Sequence, residues 1–173
     1  TKAGQTRKIW KYYILTVIDI YSRYGFFRFL PNKKAKSIIQ AFISILSELG
    51  NTELPIPKYL WVDQGAEFTN REFDKKFLKL NNIKMYFVKE KPVFIERLNR
   101  TLKSEIYKLF TEKGEKVITE AEMQEILSDY NNRRYSSIRV SPHDVMFNNA
   151  IPQPKPQKIS NKKVKNKFKV GDR

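Results

Sequence analysis

The chain has 173 residues and a formal net charge of +16, from 34 lysine and arginine residues against 18 aspartate and glutamate residues. Its 40% of hydrophobic residues suffice for one globular core and argue against pervasive disorder. No apolar run approaches the length of a membrane span, so we expect a protein without a membrane-embedded part. With no cysteine and one histidine, the chain can form no disulfide, no cysteine or histidine metal cluster and no histidine-based triad. Any metal must therefore bind carboxylates.

The positive charge is concentrated near the C-terminal end. Residues 1–150 carry 26 basic and 17 acidic side chains, whereas residues 151–173 carry 8 basic and 1 acidic side chain. Such a balance is typical of proteins that bind a polyanion, most often nucleic acid. We therefore divide the chain into a folded domain over 1–150 and a basic, proline-containing linker over 151–173. Because the opening lacks the features of a signal peptide, we expect a reducing compartment and no secretion.

The order of the elements in the first half of the chain is that of a mixed α/β domain. The predicted elements are strands at 12–20 and 25–30, a helix at 34–50, a strand at 59–62, a helix at 71–80 and a strand at 83–88. Gly50 is expected just beyond the first helix, in the C′ position. The buried stripe of the second helix is predicted to consist of Phe73, Phe77 and Leu80.

Three further helices are predicted in the second half. The first covers 92–110, and at about 100° per residue it has one apolar face and an opposite face on which Glu96 lies among cations. A second begins at Thr119, whose spacing to Glu122 is that of a capping box. Ser141 followed by Pro142 marks the start of the last. The apolar face of the first is predicted to consist of Ile95, Leu98, Leu102, Ile106 and Leu109.

Two carboxylates are candidates for chemistry. Asp63 follows a predicted core strand and precedes a turn that Gly65 permits, and strand ends in α/β sheets are where sites form. Asp63 could equally cap the following turn. Glu96 could equally be a solvated residue that pairs with Arg100 one helical turn later.

Taken together, these segments resemble the catalytic core of retroviral-type integrases, in particular those of retrotransposons and of the Polinton or Maverick DNA transposons. The matching motifs are Asp63-Gln-Gly-x-Glu-Phe68, then Ile95-Glu-Arg-Leu-Asn-Arg-Thr-Leu-Lys103, Tyr130-Asn-Asn-Arg-Arg-Tyr-Ser-Ser-Ile138 and Ser141-Pro-His-Asp144. The resemblance runs from about Tyr13 to Asn148. Lys167-Phe-Lys-Val-Gly-Asp172 looks like the opening of the family's C-terminal chromo-like or SH3-like module.

The resemblance implies a ribonuclease H-like mixed sheet flanked by helices, with two aspartates and one glutamate that hold two Mg²⁺ or Mn²⁺ ions. By motif position, Asp63 resembles the second carboxylate and Glu96 the third. Asn99, Arg100 and Lys103 stand where the family's helix touches DNA ends. Lys162, Lys163, Lys165 and Lys167 of the linker are expected to contact phosphates without sequence preference.

The first carboxylate of the family lies on a strand before the segment that resembles residues 13–19, and nothing acidic precedes Asp19 in this sequence. The resemblance therefore implies that the first catalytic aspartate lies before Thr1, in a longer protein of which this chain is a part. Asp19 matches a position that is usually structural in the family, and it is the one candidate substitute within the chain.

The implied function is DNA integration: metal-dependent processing and strand transfer of element ends into target DNA. The expected partners are double-stranded DNA and further copies of the chain, in the nucleus or a viral particle, with no membrane and no small-molecule cofactor. One alternative is a transposon-derived DNA-binding or architectural protein without catalysis. Another is a nuclease of the same fold, which the helix around Glu96 and the C-terminal motif disfavour.

Overall fold

The structure is a computed structural model that describes residues 13–52, 54–65, 68–88 and 93–153. In chain order its elements are β1 (Tyr13–Ile18), β2 (Gly25–Leu30), α1 (Ala35–Gly50), β3 (Tyr59–Val62), α2 (Arg71–Phe73) with a π-helical continuation over Asp74–Leu78, β4 (Lys84–Phe87), α3 (Val93–Lys113), α4 (Glu120–Asn132) and α5 (Pro142–Phe147). None of these helices is long and apolar enough to cross a membrane. The predicted order of elements is confirmed.

The described strands form two separate pairs. β1 and β2 are antiparallel, with Tyr13 opposite Leu30 and Ile18 opposite Gly25. β3 and β4 are parallel, with Trp61 opposite Tyr86. Antiparallel and parallel pairing, which occur together in a mixed sheet, are therefore both present. In the described residues neither β1 nor β3 has a second strand at its other edge.

Helices cover the β1–β2 pair on both faces, because β2 sends alternate side chains in opposite directions. Phe26 packs into a core with α1 and the π-helical segment, whereas Phe27 packs into a core with α3 and α4. Phe27, Leu98 and Met123 are at most 2% exposed. Burying each such side chain contributes about 1.5 to 3 kcal/mol. The result is a three-layer α/β/α arrangement.

Local signals at two helix starts are confirmed. The Thr119 hydroxyl accepts from the Glu122 backbone N–H, and the Glu122 carboxylate accepts from the Thr119 N–H, which completes the capping box. Glu122 also meets Lys113 at the end of α3, 2.7 Å away, and these contacts lower the pKa of Glu122 to about 2. Ser141 caps α5, with Pro142 in its first turn.

Two local predictions are wrong. Gly50 is the last residue of α1 and not the C′ residue, because the C-cap is Asn51 in a right-handed conformation, whose N–H bonds the Ser47 carbonyl. Leu80 is 78% exposed, whereas Leu78 is 4% exposed and packs with Phe73 and Phe77. A π turn contains more residues than an α-helical turn, and this places Leu78 on the inner face of the segment. A regular helix would have placed Leu80 on that face.

Candidate catalytic site

Asp63 lies directly beyond the carboxyl end of β3, and its side chain is exposed. Val62 before it is buried, and the Val62 carbonyl accepts from the Val88 N–H at 3.0 Å, which extends the parallel pairing to the end of the strand. After it, the Gly65 carbonyl accepts from the Phe68 N–H at 3.0 Å. A carboxylate is thus held at a strand end where solvent and ligands have access.

Glu96 lies in the first turn of α3 and is also exposed. The helix is fixed by Leu98 and Leu102, which are 0% and 3% exposed and pack against β2 and α4. Arg100 and Lys103 are exposed on the same helix, as the helical geometry predicts. No ion pair between Glu96 and Arg100 occurs in the described part of the chain. The Glu96 carboxylate therefore keeps its oxygens available for a ligand.

Asn99 is half-buried, and its Oδ1 accepts a hydrogen bond from the Thr16 hydroxyl at 2.8 Å. This contact joins α3 to β1 across 83 residues of sequence. Asn99 was predicted to touch DNA; its carbonyl oxygen is engaged within the protein, which leaves its amide nitrogen for that contact. Thr16, which nothing in the sequence marks, is the partner that sequence reasoning missed.

Asp19 has a structural role in the turn between β1 and β2. Its Oδ2 accepts from the backbone N–H and from the hydroxyl of Ser22, both at 2.7 Å. Its own backbone bonds Tyr24 and Arg23 at 2.9 Å. Ser22 is 1% exposed, so these bonds satisfy a buried hydroxyl. This agrees with the structural role that the Asp-x-x-Ser pattern predicts.

Asp63 and Glu96 supply oxygen donors, the ligands that Mg²⁺ and Mn²⁺ prefer. Within the described ranges, however, no group of three or more histidine, cysteine, aspartate or glutamate side chains is placed to hold a metal ion. The donor chemistry thus suits the predicted ions, and the roles of Asp63 and Glu96 as metal ligands stay a prediction. The predicted linker contacts at Lys162, Lys163, Lys165 and Lys167 lie outside the described residues.

A cleft of about 850 Å³ separates the two sheets. Val17 and Ile18 at the end of β1 and Tyr59–Trp61 of β3 line it, and residues of α1 line it as well, among them Phe42 and Ile45. Tyr59 and Trp61 of β3 are 57% and 50% exposed towards solvent. The cleft is therefore a largely apolar space lined by residues of β1 and β3, and Asp63 directly follows β3.

Buried polar contacts also fix the helices around the site. The Gly25 N–H donates to Asn131 Oδ1 at 2.8 Å, and Asn131 Nδ2 donates to the Gly25 carbonyl at 3.0 Å. Asn131 is 2% exposed and belongs to α4. Sequence reasoning placed Asn131 in a motif without assigning it a role. An amide side chain both donates and accepts, so Asn131 can bond the N–H and the carbonyl of Gly25 in β2 at once. This explains why an asparagine occupies the position.

Comparisons with known proteins agree with this architecture. Residues 2–91 match the integrase core domain family. A transposon-derived protein of Caenorhabditis elegans is 32% identical over 163 residues, which are 92% of this chain, and the chain spans 53% of that relative's length.

Among solved structures, the catalytic core domain of the HTLV-2 integrase, determined with magnesium in a trimeric form, has a TM-score of 0.65 at 19% identity, over 80% of this chain and 87% of that one. A chain of the simian T-cell lymphotropic virus intasome, solved with a PP2A regulatory subunit, has a TM-score of 0.66 at 16% identity, over 84% of this chain and 52% of that one. These likenesses establish the α/β fold of integrase catalytic cores. With more than half of its residues matched by the family, the chain belongs to the integrase core domain family.

Proposed function

We propose that this protein is an integrase-type polynucleotidyl transferase, which processes the ends of a transposon's or virus's double-stranded DNA and joins them to target DNA. The observation that carries the proposal is the pair of exposed carboxylates at two element ends, Asp63 after β3 and Glu96 at the start of α3, in a chain of the integrase core family. In this reaction water first attacks a phosphodiester bond and releases a 3′-hydroxyl at the element end. That hydroxyl then attacks a phosphodiester of the target strand, forms a new P–O bond and displaces the target's own 3′-hydroxyl.

Asp63 and Glu96 would hold Mg²⁺ or Mn²⁺. When bound, two such ions would supply Lewis-acid chemistry, activating the attacking oxygen and stabilising the leaving one. The magnesium in the HTLV-2 integrase core supports this choice of cofactor. Arg100 and Lys103, exposed on the helix that carries Glu96, would attract DNA phosphates to the same side by their charge.

The third carboxylate is proposed to reach the site on a β-strand that is not among the described residues. The cleft supports this, because residues of both β1 and β3 line it, its lining is largely apolar, and in the described residues each of these strands has one paired edge. Neighbouring strands lie about 4.8 Å apart, so one strand between β1 and β3 would join both pairs into a single sheet. A carboxylate near the end of that strand would lie beside Asp63, which follows the end of β3.

Joining of a labelled DNA end to a plasmid, in Mg²⁺ or Mn²⁺, tests the function. We expect no joining by the 173-residue chain alone, because two carboxylates cannot position two metals as three can. Joining should appear in a protein extended at its N-terminus by a strand that supplies an aspartate, and Asp63→Asn or Glu96→Gln should abolish it. Asn70→Asp, at an exposed N-cap, is a control that should retain joining. Full joining by either carboxylate variant would refute the proposal.

A second candidate is a DNA-binding or architectural protein without catalysis. It is favoured by the lack of a three-carboxylate group in the described segments. It predicts binding to duplex DNA, with no joining even in the longer protein. We further propose that the protein acts as a homo-oligomer, as the trimeric HTLV-2 core does, in the nucleus or in a viral particle.

A further inference from the structure

The loop after α4 carries three arginines, Arg133, Arg134 and Arg139, and all three are exposed. No aspartate or glutamate stands between Asp129 and Asp144, the acids that flank the loop in sequence. The Asp144 carboxylate accepts hydrogen bonds within α5 and its cap. In the described part of the chain, no ion pair includes either acid or any of the three arginines. The loop is therefore a patch of positive charge without a counter-charge.

Hydrogen bonds hold the backbone of this loop in one conformation. The Tyr135 N–H donates to the Val140 carbonyl at 3.2 Å. The Tyr135 carbonyl accepts from the N–H groups of Ile138 and Arg139, at 3.2 and 2.6 Å. Ile138 is 5% exposed, so it anchors the loop to the protein interior. Because the loop is already ordered, a ligand that binds its side chains would cost little backbone entropy.

A direct contact brings two of the arginines together. Arg134 Nε donates to the Arg139 carbonyl at 2.5 Å, which leaves the terminal N–H groups of the Arg134 guanidinium for another acceptor. Arg139 itself has a left-handed backbone, with φ of 60°. Glycine adopts this conformation at less cost than arginine, so the backbone alone does not explain an arginine here. Residues held in such sparsely populated conformations cluster at sites that bind ligands.

The basic linker leaves the folded domain beside this loop. The N–H of Gln153, the last residue that the structure describes, donates to the Ile138 carbonyl at 2.8 Å. Residues 154–173 carry eight basic side chains and one acidic side chain. A polyanion that contacts the loop is therefore next to the point where the linker begins.

We propose that Arg133, Arg134 and Arg139 bind backbone phosphates of duplex DNA, as a contact on the folded domain that continues into the basic linker. Guanidinium groups make bidentate, charge-assisted hydrogen bonds to phosphate oxygens. A duplex presents such phosphates whatever its sequence, so the contact would orient the duplex without selecting it. The proposal rests on the proposed function in that DNA is the ligand. It adds a binding loop that takes no part in the chemistry at Asp63 and Glu96.

Salt titrations of duplex binding, performed without metal, test the loop. Log K falls with log salt by about 0.9 for each duplex phosphate contact. The triple variant Arg133→Gln/Arg134→Gln/Arg139→Gln should lose a slope of about 1.8 to 2.7 on duplexes of unrelated sequence. The lower value corresponds to one phosphate shared by Arg134 and Arg139, which are in contact. A loss smaller than two contacts would overturn the proposal.

A matched control removes the same charge elsewhere on the protein. Lys76, Lys79 and Lys108 are exposed, and each forms an ion pair with a nearby acid. Lys76→Gln/Lys79→Gln/Lys108→Gln lowers the net charge by the same three units. Because these cations are already paired, the control should change the slope by less than one contact, under about 0.9. Equal losses in the two triple variants would show that binding follows net charge and would overturn the proposal.

Arg139→Gly separates DNA binding from folding, because glycine favours the left-handed backbone of this position. Its thermal midpoint should be unchanged or raised. Its affinity for duplex DNA should fall by up to about eightfold at 0.1 M salt, the equivalent of one contact. Arg139→Lys keeps the charge and should recover most of this affinity. Wild-type affinity in Arg139→Gly would overturn the proposal, whatever its midpoint.

Failure of this proposal can be told from failure of the proposed function, because no titration needs metal or DNA joining. If the loop variants lose slope but no form of the protein joins DNA, the proposed function alone is contradicted. If the extended protein joins DNA and the loop variants bind duplexes as the wild type does, the loop proposal alone is contradicted. The charge of the loop would then serve a partner other than DNA.

Discussion

Gly25 occupies a junction at which three elements meet. A Cβ at this position would lie 3.2 Å from side-chain carbons of Leu98 on α3 and Leu127 on α4, closer than ordinary van der Waals contact. Asn131 holds the backbone of Gly25 from the third side with two hydrogen bonds. Since Leu98 stands two residues after Glu96, this junction sets where α3 begins relative to the sheet.

Asn131→Ala should therefore destabilise the protein strongly. It leaves the N–H and the carbonyl of Gly25 buried without partners, at about 1 to 3 kcal/mol each, so we expect the free energy of unfolding in urea to fall by about 2 to 6 kcal/mol. Asn132→Ala is the control, because Asn132 is exposed and bonds only within its own helix; it should cost under about 0.5 kcal/mol. Equal losses in the two variants would mean that the Gly25 contacts contribute nothing.

At the scale of elements, contacts between residues close in sequence were predictable and those set by packing were not. The capping box of Thr119 and Glu122 and the Ser141 cap depend on residues three apart, and both are confirmed. Leu80 was misassigned because the π turn after Phe73 follows from how Phe77 and Leu78 pack beneath α1, which no local pattern shows.

The same limit applies to the site. Asp63 and Glu96 stand at element ends that periodicity indicates, so their positions could be predicted. The bonds of Asn131 to Gly25 span 106 residues, and the contact of Arg23 with Phe94 joins a turn to a distant helix. Such pairs appear only when the chain is folded, because no local preference favours them.

The π-helical segment gives a paired test of packing. Leu78→Ala removes a side chain that is 4% exposed from the core of α1, and should cost about 2 to 5 kcal/mol. Leu80→Ala, in the same segment of chain but 78% exposed, should cost under about 0.5 kcal/mol. Urea unfolding of both variants measures the difference. The reverse order would show that the stripe predicted for a regular helix is the one that packs.

For the whole molecule, the proposed function and the distribution of charge together predict two kinds of DNA contact. Residues 1–150 carry a smaller excess of positive charge per residue than residues 151–173. Contacts on the folded domain would orient DNA at Asp63 and Glu96, whereas a basic linker would add affinity for any sequence. Charge reversal at Arg100 and Lys103 should therefore reduce joining more than binding.

Neutralising Lys162, Lys163, Lys165 and Lys167 should instead weaken the binding of all duplexes alike. Losing four phosphate contacts should flatten the dependence of log K on log salt by up to roughly 3 to 4 units. Salt titrations of the wild type and the quadruple glutamine variant on two unrelated duplexes measure this. An unchanged slope would mean that these lysines do not touch the DNA backbone.

The open edge of β1 also bears on how the protein behaves at high concentration. The strand reads Tyr-Ile-Leu-Thr-Val-Ile over Tyr13–Ile18, with no charged residue, and in the described part of the chain only β2 pairs with it. Natural proteins protect such edges with lysine, proline or a covering loop, because bare, apolar, β-branched edges template aggregation. The strand that would complete the sheet would therefore also keep the protein soluble. When that strand pairs with β1, copies of the protein cannot associate through the edge of β1.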